Sequence, residues 1–412
     1  MLTREDCIAL DAQDEMAHVR EAFQLPEDII YLDGNSLGAL PKRSVAALSA
    51  TVEQEWGEGL IRSWGTADWF SLPERLGDKL GTLMGAAPGQ TVVSDSTSIN
   101  IYKALRSAMA LRPDRKVIVS ELGSFPTDLY VLEGAMSVDE SYSARLWGRD
   151  GDQLEDLINE DVAVVLLSHV DYRSGKLLDM EAITKLAHDA GALIIWDLCH
   201  TAGVVPMELD ANNVDFAVGC TYKYLNGGPG SQAYIYVAQR HHAEARQPLS
   251  GWWSHAAPFA FESSFRPTEG ARRFLVGTQS VLGLKGIEAS LSLFEEMDIH
   301  AIRRKSQKLC DLFIELVEQH PDCQTLRLES PRDADQRGSH VSFLFDNGFP
   351  VVRAMIEQGV IGDFREPGIM RFGFAPYYLR FVDVYDAVEI LADCMRRKVW
   401  ENEAYNVRGA VT

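Results

Sequence analysis

The sequence predicts an α/β protein, with a mostly parallel central sheet sandwiched by helices and a smaller α+β domain at the C-terminal end. Three observations carry that expectation. Short runs rich in valine and isoleucine recur at 115–120 (RKVIVS), 162–168 (VAVVLLS), 192–197 (ALIIWD), 214–220 (VDFAVGC) and 233–238 (AYIYVA), as buried strands require. Between the second and third lies MEAITKLAHDAG, where Ile183, Leu186 and Ala187 share one helical face and Gly191 closes the helix. A strand, helix, strand unit of this kind crosses over right-handed and builds a parallel sheet. From about residue 283 the pattern changes to long helices, LKGIEASLSLFEEM and AIRRKSQKLCDLFIELVEQ, followed by the strand-like SHVSFLF and IMRFGFA.

Taken in chain order, the opening 40 residues hold an amphipathic start and the turn-rich YLDGNSLGALP, expected to pack on the small domain or on a partner subunit. The domain expectation is an N-terminal segment over 1–50, a large domain over 51–282 and a small one over 283–412. In VVSDSTSINIYKALRSAM a strand runs through hydroxyl residues into a helix whose Ile101, Leu105 and Ala108 share a face. Thr97 and Ser98 then sit at the helix N-terminus, where free N–H groups, hydroxyls and the helix dipole suit a phosphate. An ordinary Ser/Thr cap looks the same, so the signal gains weight only beside the chemistry downstream. In a parallel sheet ligands bind at the carboxyl ends of strands, which is where Ser168, Asp197 and the stretch before Lys223 fall.

Composition narrows the function class. At 412 residues and 46% hydrophobic content the chain is long enough for two packed domains. A formal charge of −21 with no block of Lys and Arg opposes attraction to nucleic acid or an anionic membrane surface. Cys7, Cys199, Cys220, Cys310, Cys323 and Cys394 are scattered without metal-ligand spacing or a secreted framework, which fits reduced thiols in a cytoplasm. The start MLTREDCIALDAQDEM is studded with charge, and no stretch reaches membrane-spanning length, so a cytoplasmic location is expected, with no metal.

The chemistry centres on Lys223 in CTYKYLNGGPG and on Asp197 at the end of ALIIWD. A lysine amine can form a Schiff base with the aldehyde of pyridoxal 5′-phosphate, while a strand-end carboxylate keeps the pyridine nitrogen protonated. Tyr222 and Tyr224 flank the lysine, and Gly227, Gly228 and Gly230 form a turn expected to let backbone approach a ligand closely. His200 lies three residues beyond Asp197. An isolated lysine is ordinarily a surface charge; this setting is not that of a surface lysine.

The segments YLDGNSLG, FPTDLY, WDLCHTAG, DFAVGCTYKYLNGGPG, LSGWWSH and MRFGFAP, in this order, resemble the kynureninase family of fold-type I pyridoxal-phosphate enzymes, related to class V aminotransferases. The resemblance runs from about residue 3 to 395. It implies hydrolysis of L-kynurenine to anthranilate and L-alanine in tryptophan catabolism, by a homodimer with active sites at the subunit interface. Residue by residue, it implies Lys223 as the Schiff-base lysine, Asp197 as the pyridine partner with His200 close by, and Tyr222 as a proton donor. It implies that Phe125 stacks on the cofactor ring, that Asp128 bonds its hydroxyl or nitrogen edge, and that Ser168 contacts it. Thr97, Ser98, Tyr222, Trp252 and Thr278 match phosphate-site positions, Trp252 and Thr278 from the neighbouring subunit. Arg371 matches the clamp of the substrate α-carboxylate, with Asn35 and Ser36 also substrate-binding; a guanidinium fork suits that task. Trp64, with Gly277 and Thr278, resembles the bacterial form, whose aromatic wall makes 3-hydroxykynurenine the poorer substrate. The rival enzyme is a cysteine desulfurase or selenocysteine lyase, which needs a nucleophilic loop thiol. Cys323 in QHPDCQTL is the candidate, in acidic surroundings that disfavour a thiolate. A non-catalytic pyridoxal-phosphate relative could dispense with Arg371, which is present.

Overall fold

The computed structural model describes residues 2–149 and 151–407, so the last five residues of the expected small domain lie outside the described residues. Strands β1 (Thr91–Val93), β2 (Val117–Glu121), β3 (Ser143–Trp147), β4 (Val162–Ser168), β5 (Leu193–Asp197), β6 (Phe216–Gly219) and β7 (Tyr234–Val237) form one sheet in the order β1-β7-β6-β5-β4-β2-β3. Only β7 runs antiparallel to its neighbours. Alternation along the strands splits the side chains between two apolar layers. Val164, Leu166, Ile195 and Val218 pack with Ile101, Leu105 and Ala108 on one face. Val165, Leu167, Ile194, Trp196 and Ala217 pack on the other. Both faces are covered, which is why these strands read as continuous apolar runs.

Among the helices are α1 (Arg4–Asp11), α2 (Thr97–Leu111), α3 (Pro126–Met136), α4 (Met180–Asp189), α5 (Val281–Phe294), α6 (Ile299–Gln319) and α7 (Phe381–Arg396), of which α2 and α3 lend residues to the site. α4 buries Met180, Thr184 and Ala187, with Ile183 and Leu186 at the margin of that face, a rotation by part of a turn from the expected stripe. The register pairs Ser168 with Asp197 and Asp197 with Val218, so the carboxyl ends of β4, β5 and β6 lie level and present one shelf to the site.

A second sheet joins β8 (Arg327–Leu328), β9 (His340–Leu344), β10 (Asp363–Arg365) and β11 (Ile369–Gly373) in the antiparallel order β8-β9-β11-β10. The N-terminal segment is fastened to this part of the same chain. Asp11 accepts from the N–H groups of Phe381 and Val382 at 2.6 and 3.0 Å, capping α7, and Arg4 Nε reaches Asp386 at 2.7 Å. Ile30–Tyr31 pairs in parallel with Val360–Ile361.

Candidate active site

Lys223 follows β6 in a tight turn. Asn226 N–H donates to the Lys223 carbonyl at 2.9 Å and Gly227 N–H to Thr221 at 2.8 Å, with Asn226 itself left-handed at φ 55°. From the N-terminal segment, Gly38 N–H donates to the Tyr222 carbonyl at 2.7 Å. The glycines beyond the lysine do not serve as expected. Gly227 lies against Ser231 and against Ile287 of α5, Gly228 and Gly230 have φ of +100° and +66°, and none of the three lines the cavity. The turn uses them for helix packing and left-handed backbone.

The lysine Nζ stands 3.3 Å from His200 Nε2 and 6.0 Å from the centroid of the Phe125 ring. Burial first, then the Lys223 charge, holds the His200 pKa well below its ordinary value, so the imidazole is neutral and its free nitrogen can accept from the lysine. Phe125 is 42% exposed and meets Tyr172 edge-on, with centroids 5.2 Å apart.

Two acids lie beneath. Asp197 ends β5, and its Oδ1 accepts from Cys199 N–H at 2.7 Å. Asp128, in the first turn of α3, is buried and accepts from the Ser168 hydroxyl at 3.5 Å. Burial, then the neighbouring Asp197, drives its carboxyl well above the usual range, while Lys223 acts the other way. A buried carboxylate pair of this kind is a site for a cation carrying an N–H. At the other side, Thr97 and Ser98 open the 15-residue α2, whose cap is Ser96, with Oγ accepting from Ile99 N–H at 3.4 Å. Thr97 Oγ1 is 3.7 Å from Cys199 Sγ.

The remaining wall is cationic. β10 and β11 place Asp363 opposite Arg371. Arg371 Nε donates to Asp363 Oδ1 at 2.7 Å and Nη2 to Asp363 Oδ2; Nη2 also donates to Ser36 Oγ at 3.0 Å and Nη1 to the Tyr172 carbonyl at 2.6 Å. Asn35, with its amide oxygen turned toward the guanidinium, accepts at 3.0 and 3.2 Å. Asp33 is held close by the bridge between Asp33 and Gly373, and burial followed by the Asp363 charge pushes its carboxyl up to about 7.

All the sequence-predicted site residues except Trp64, Trp252 and Thr278 line one cavity of about 200 Å³. Two larger hollows, about 550 and 410 Å³, carry none of these groups. Trp64 packs against Trp69 and Trp253 at 5.5 and 5.3 Å, away from the cavity wall. Trp252 and Thr278 are exposed, Trp252 edge-on to Trp253 at 4.8 Å. The cavity also takes in Thr127, Tyr172, Cys199 and Arg365, which sequence reasoning did not single out. Thr127 stands inside FPTD, and Arg365 shares a hairpin with Arg371, a signal legible as two arginines flanking the turn at Pro367–Gly368.

Two family profiles match: the kynureninase C-terminal domain over residues 302–391 and the DegT/DnrJ/EryC1/StrS aminotransferase family over 68–208. The chain is 50% identical to a kynureninase of Pseudomonas fluorescens and 49% identical to one of Burkholderia pseudomallei (strain 1106a), in each case over the whole of both chains. Among solved structures it is similar to the apo structure of a cysteine desulfurase from Thermococcus onnurineus NA1, with TM-score 0.80 at 19% identity, covering 92% of this chain and 98% of that one. The Escherichia coli cysteine desulfurase CsdA gives TM-score 0.77 at 19% identity, covering 94% and 98%. At such identities these structures speak for the fold.

Proposed function

Because the chain belongs to the kynureninase family, we propose that it hydrolyses the Cβ–Cγ bond of L-kynurenine to give anthranilate and L-alanine, with pyridoxal 5′-phosphate as cofactor. The observation that carries the reading is the meeting of Lys223, the Asp128–Asp197 pair, Phe125 and Arg371 around one cavity. The residues suit the cofactor: the buried acid pair answers a protonated ring nitrogen, and the α2 N-terminus with Thr97 and Ser98 answers a phosphate. When bound, the cofactor would draw electrons from the substrate Cα. Lys223, beside the neutral His200, takes and returns the proton at the substrate Cα. Tyr222, its phenol kept protonated chiefly by burial, donates along the same path. Asp197 and Asp128 would hold the proton at the ring nitrogen, with Asp128 supported by the Ser168 hydroxyl, and Phe125 would stack on the ring. Arg371, Asn35 and Ser36 orient the carboxylate end of the substrate. Water adds to the γ-carbonyl and the Cβ–Cγ bond breaks.

The reading includes a homodimer in which Trp252 and Thr278 reach the phosphate of the partner's site and Trp64 walls the substrate ring. What supports it is exposed apolar surface: Trp56 and Leu282, which line one hollow, the exposed Leu60, Ile61, Phe261 and Phe265, and Phe259 with its ring centroid 5.9 Å from that of Trp252. It also includes the 1–50, 51–282 and 283–412 division and a cytoplasmic location, in keeping with six unpaired cysteines. The desulfurase alternative has no support at its thiol. Cys323 is buried, and burial followed by Asp322 and Glu389 pushes its pKa up to about 12. The test is release of fluorescent anthranilate from L-kynurenine by purified protein supplied with pyridoxal 5′-phosphate; no anthranilate would overturn the reading.

A further inference from the structure

Arg371 is heavily engaged before any substrate arrives. Asp363 takes two of its N–H groups, Ser36 a third and the Tyr172 carbonyl a fourth. A guanidinium has a fixed set of donors and no acceptor, so a single Nη1 proton is left for a new anion. A carboxylate gripped bidentately needs a pair of parallel donors. The clamp implied for Arg371 is therefore incomplete on this side chain alone.

The missing donors lie on the same hairpin. Arg365 ends β10, lines the same cavity as Arg371, and has its side chain 31% exposed. Its Nη1 donates to the Phe364 carbonyl at 2.9 Å and its Nη2 stands 2.7 Å from Asp363 Oδ2. Its Nε and its other guanidinium protons have no hydrogen-bond partner among the described residues. Asp363 is thus shared between two arginines, and the paired charges leave Arg365 only partly compensated. Burial first, and repulsion from Arg371 second, lowers the Arg365 pKa, a cost that an incoming anion relieves. Lys223, Arg371 and Arg365 line the same cavity, with His200 among them.

We propose that Arg365 is a substrate-binding and specificity-determining residue: with the remaining Nη1 proton of Arg371 it receives the α-carboxylate of the amino-acid substrate, held between two arginines that share Asp363. The inference rests on the reading above only in that an α-amino acid enters this cavity. It makes the site favour amino acids with a free carboxylate over the corresponding amides, which lack the charge that Arg365 meets.

The experiment uses the pyridoxal-phosphate-loaded full chain and visible absorption titrations with L-alanine and with L-alaninamide, which differ only at the carboxylate. Arg365→Gln is expected to weaken L-alanine roughly 10- to 100-fold, the range of a charge-assisted hydrogen bond. Its affinity for L-alaninamide should be unchanged, and Arg365→Lys should recover part of the loss. KM for the substrate should rise by the same order with kcat nearly constant. Unaltered L-alanine binding in Arg365→Gln overturns the proposal. So does equal weakening of both ligands, which would make Arg365 a structural residue, or a wild-type protein that does not respond to L-alanine. Failure of the wild type to release anthranilate from L-kynurenine would instead sink the function reading, leaving the alanine and alaninamide comparison standing on its own.

Discussion

At the scale of single residues, the site is a set of charges held in burial by one another. Among the described residues the Lys223 amine has His200 within hydrogen-bond reach, at 3.3 Å, and that ring is kept neutral. Lys223→Ala is expected to abolish turnover and the cofactor's lysine-linked absorption band, and borohydride should fix cofactor to Lys223 and to no other lysine, as peptide mapping would show. Asp33 makes a second prediction through its proton. Its carboxyl is raised from 3.8 to about 7, by burial and then Asp363, with Arg371 and Arg365 opposing. Between those two values the unfolded chain has released the proton that the folded chain keeps, so stability falls as pH rises through this window and levels off above it. Asp33→Asn removes that proton from the balance. The thermal midpoint should then fall less steeply from pH 5 to pH 7 than in the wild type, and an identical slope would show that Asp33 ionises freely. Single residues were also where the sequence was most and least informative. Asp197, Lys223 and Thr97 announce themselves by a strand end, the stretch just beyond a strand and a helix start, features fixed by local periodicity, whereas Asp128 was legible only through the family resemblance. Arg365 and Tyr172 were legible in neither way, since their role follows from a hairpin register and from a carbonyl that meets Arg371 across 199 residues of chain.

At the scale of elements, close backbone contacts decide the geometry. Gly38 packs onto the lysine turn so tightly that a Cβ there would lie 2.3 Å from the Lys223 carbonyl oxygen and 2.7 Å from Asn226 Cα. Backbone cannot yield as a side-chain tip can. Gly38→Ala should cost on the order of 1–3 kcal/mol by overpacking and should also weaken cofactor retention, because the displaced atoms carry Lys223. A melting curve and a cofactor titration together check this; lost stability with normal cofactor affinity would mean that the turn moves as a rigid piece. The five core strands named from apolar runs occur where expected because both their faces are covered, whereas β3 escaped notice because its residues are exposed or half-buried and carry no apolar run. Helix α7 was likewise unmarked: its cap is partly supplied from outside, by Asp11, some 370 residues away in the chain.

At the scale of the whole molecule, three positions stand apart from the cavity in a single chain: Trp64, Trp252 and Thr278. The proposed dimer makes this a prediction about mixtures. Lys223→Ala and Thr278→Ala proteins, each inactive, should regain up to about a quarter of wild-type activity on subunit exchange, since a random hybrid carries one intact site in half of the dimers. Exchange demonstrated by a mass tag, with no recovered activity, would count against shared sites. No residue periodicity in one sequence marks which surface meets a second copy, so this layer was legible only through family resemblance.

The fastening of the N-terminal segment to α7 has a consequence for biosynthesis. Arg4 and Asp386 are 382 residues apart, which at about 5–20 residues per second on the ribosome separates their appearance by roughly 20–80 s. During that interval α1 and the strand at Ile30–Tyr31 are without the partners they have in the finished protein, while the sheet carrying Lys223 can already form. The glycine that seats against the lysine turn is made among the first residues, and the segment preceding it gains its own fastening only once Val360–Ile361 and α7 have been made. A nascent chain can thus hold the lysine, the acid pair and the α2 terminus before it holds Arg371, so the part of the pocket proposed to bind the aldehyde is complete earlier than the part proposed to read the amino acid.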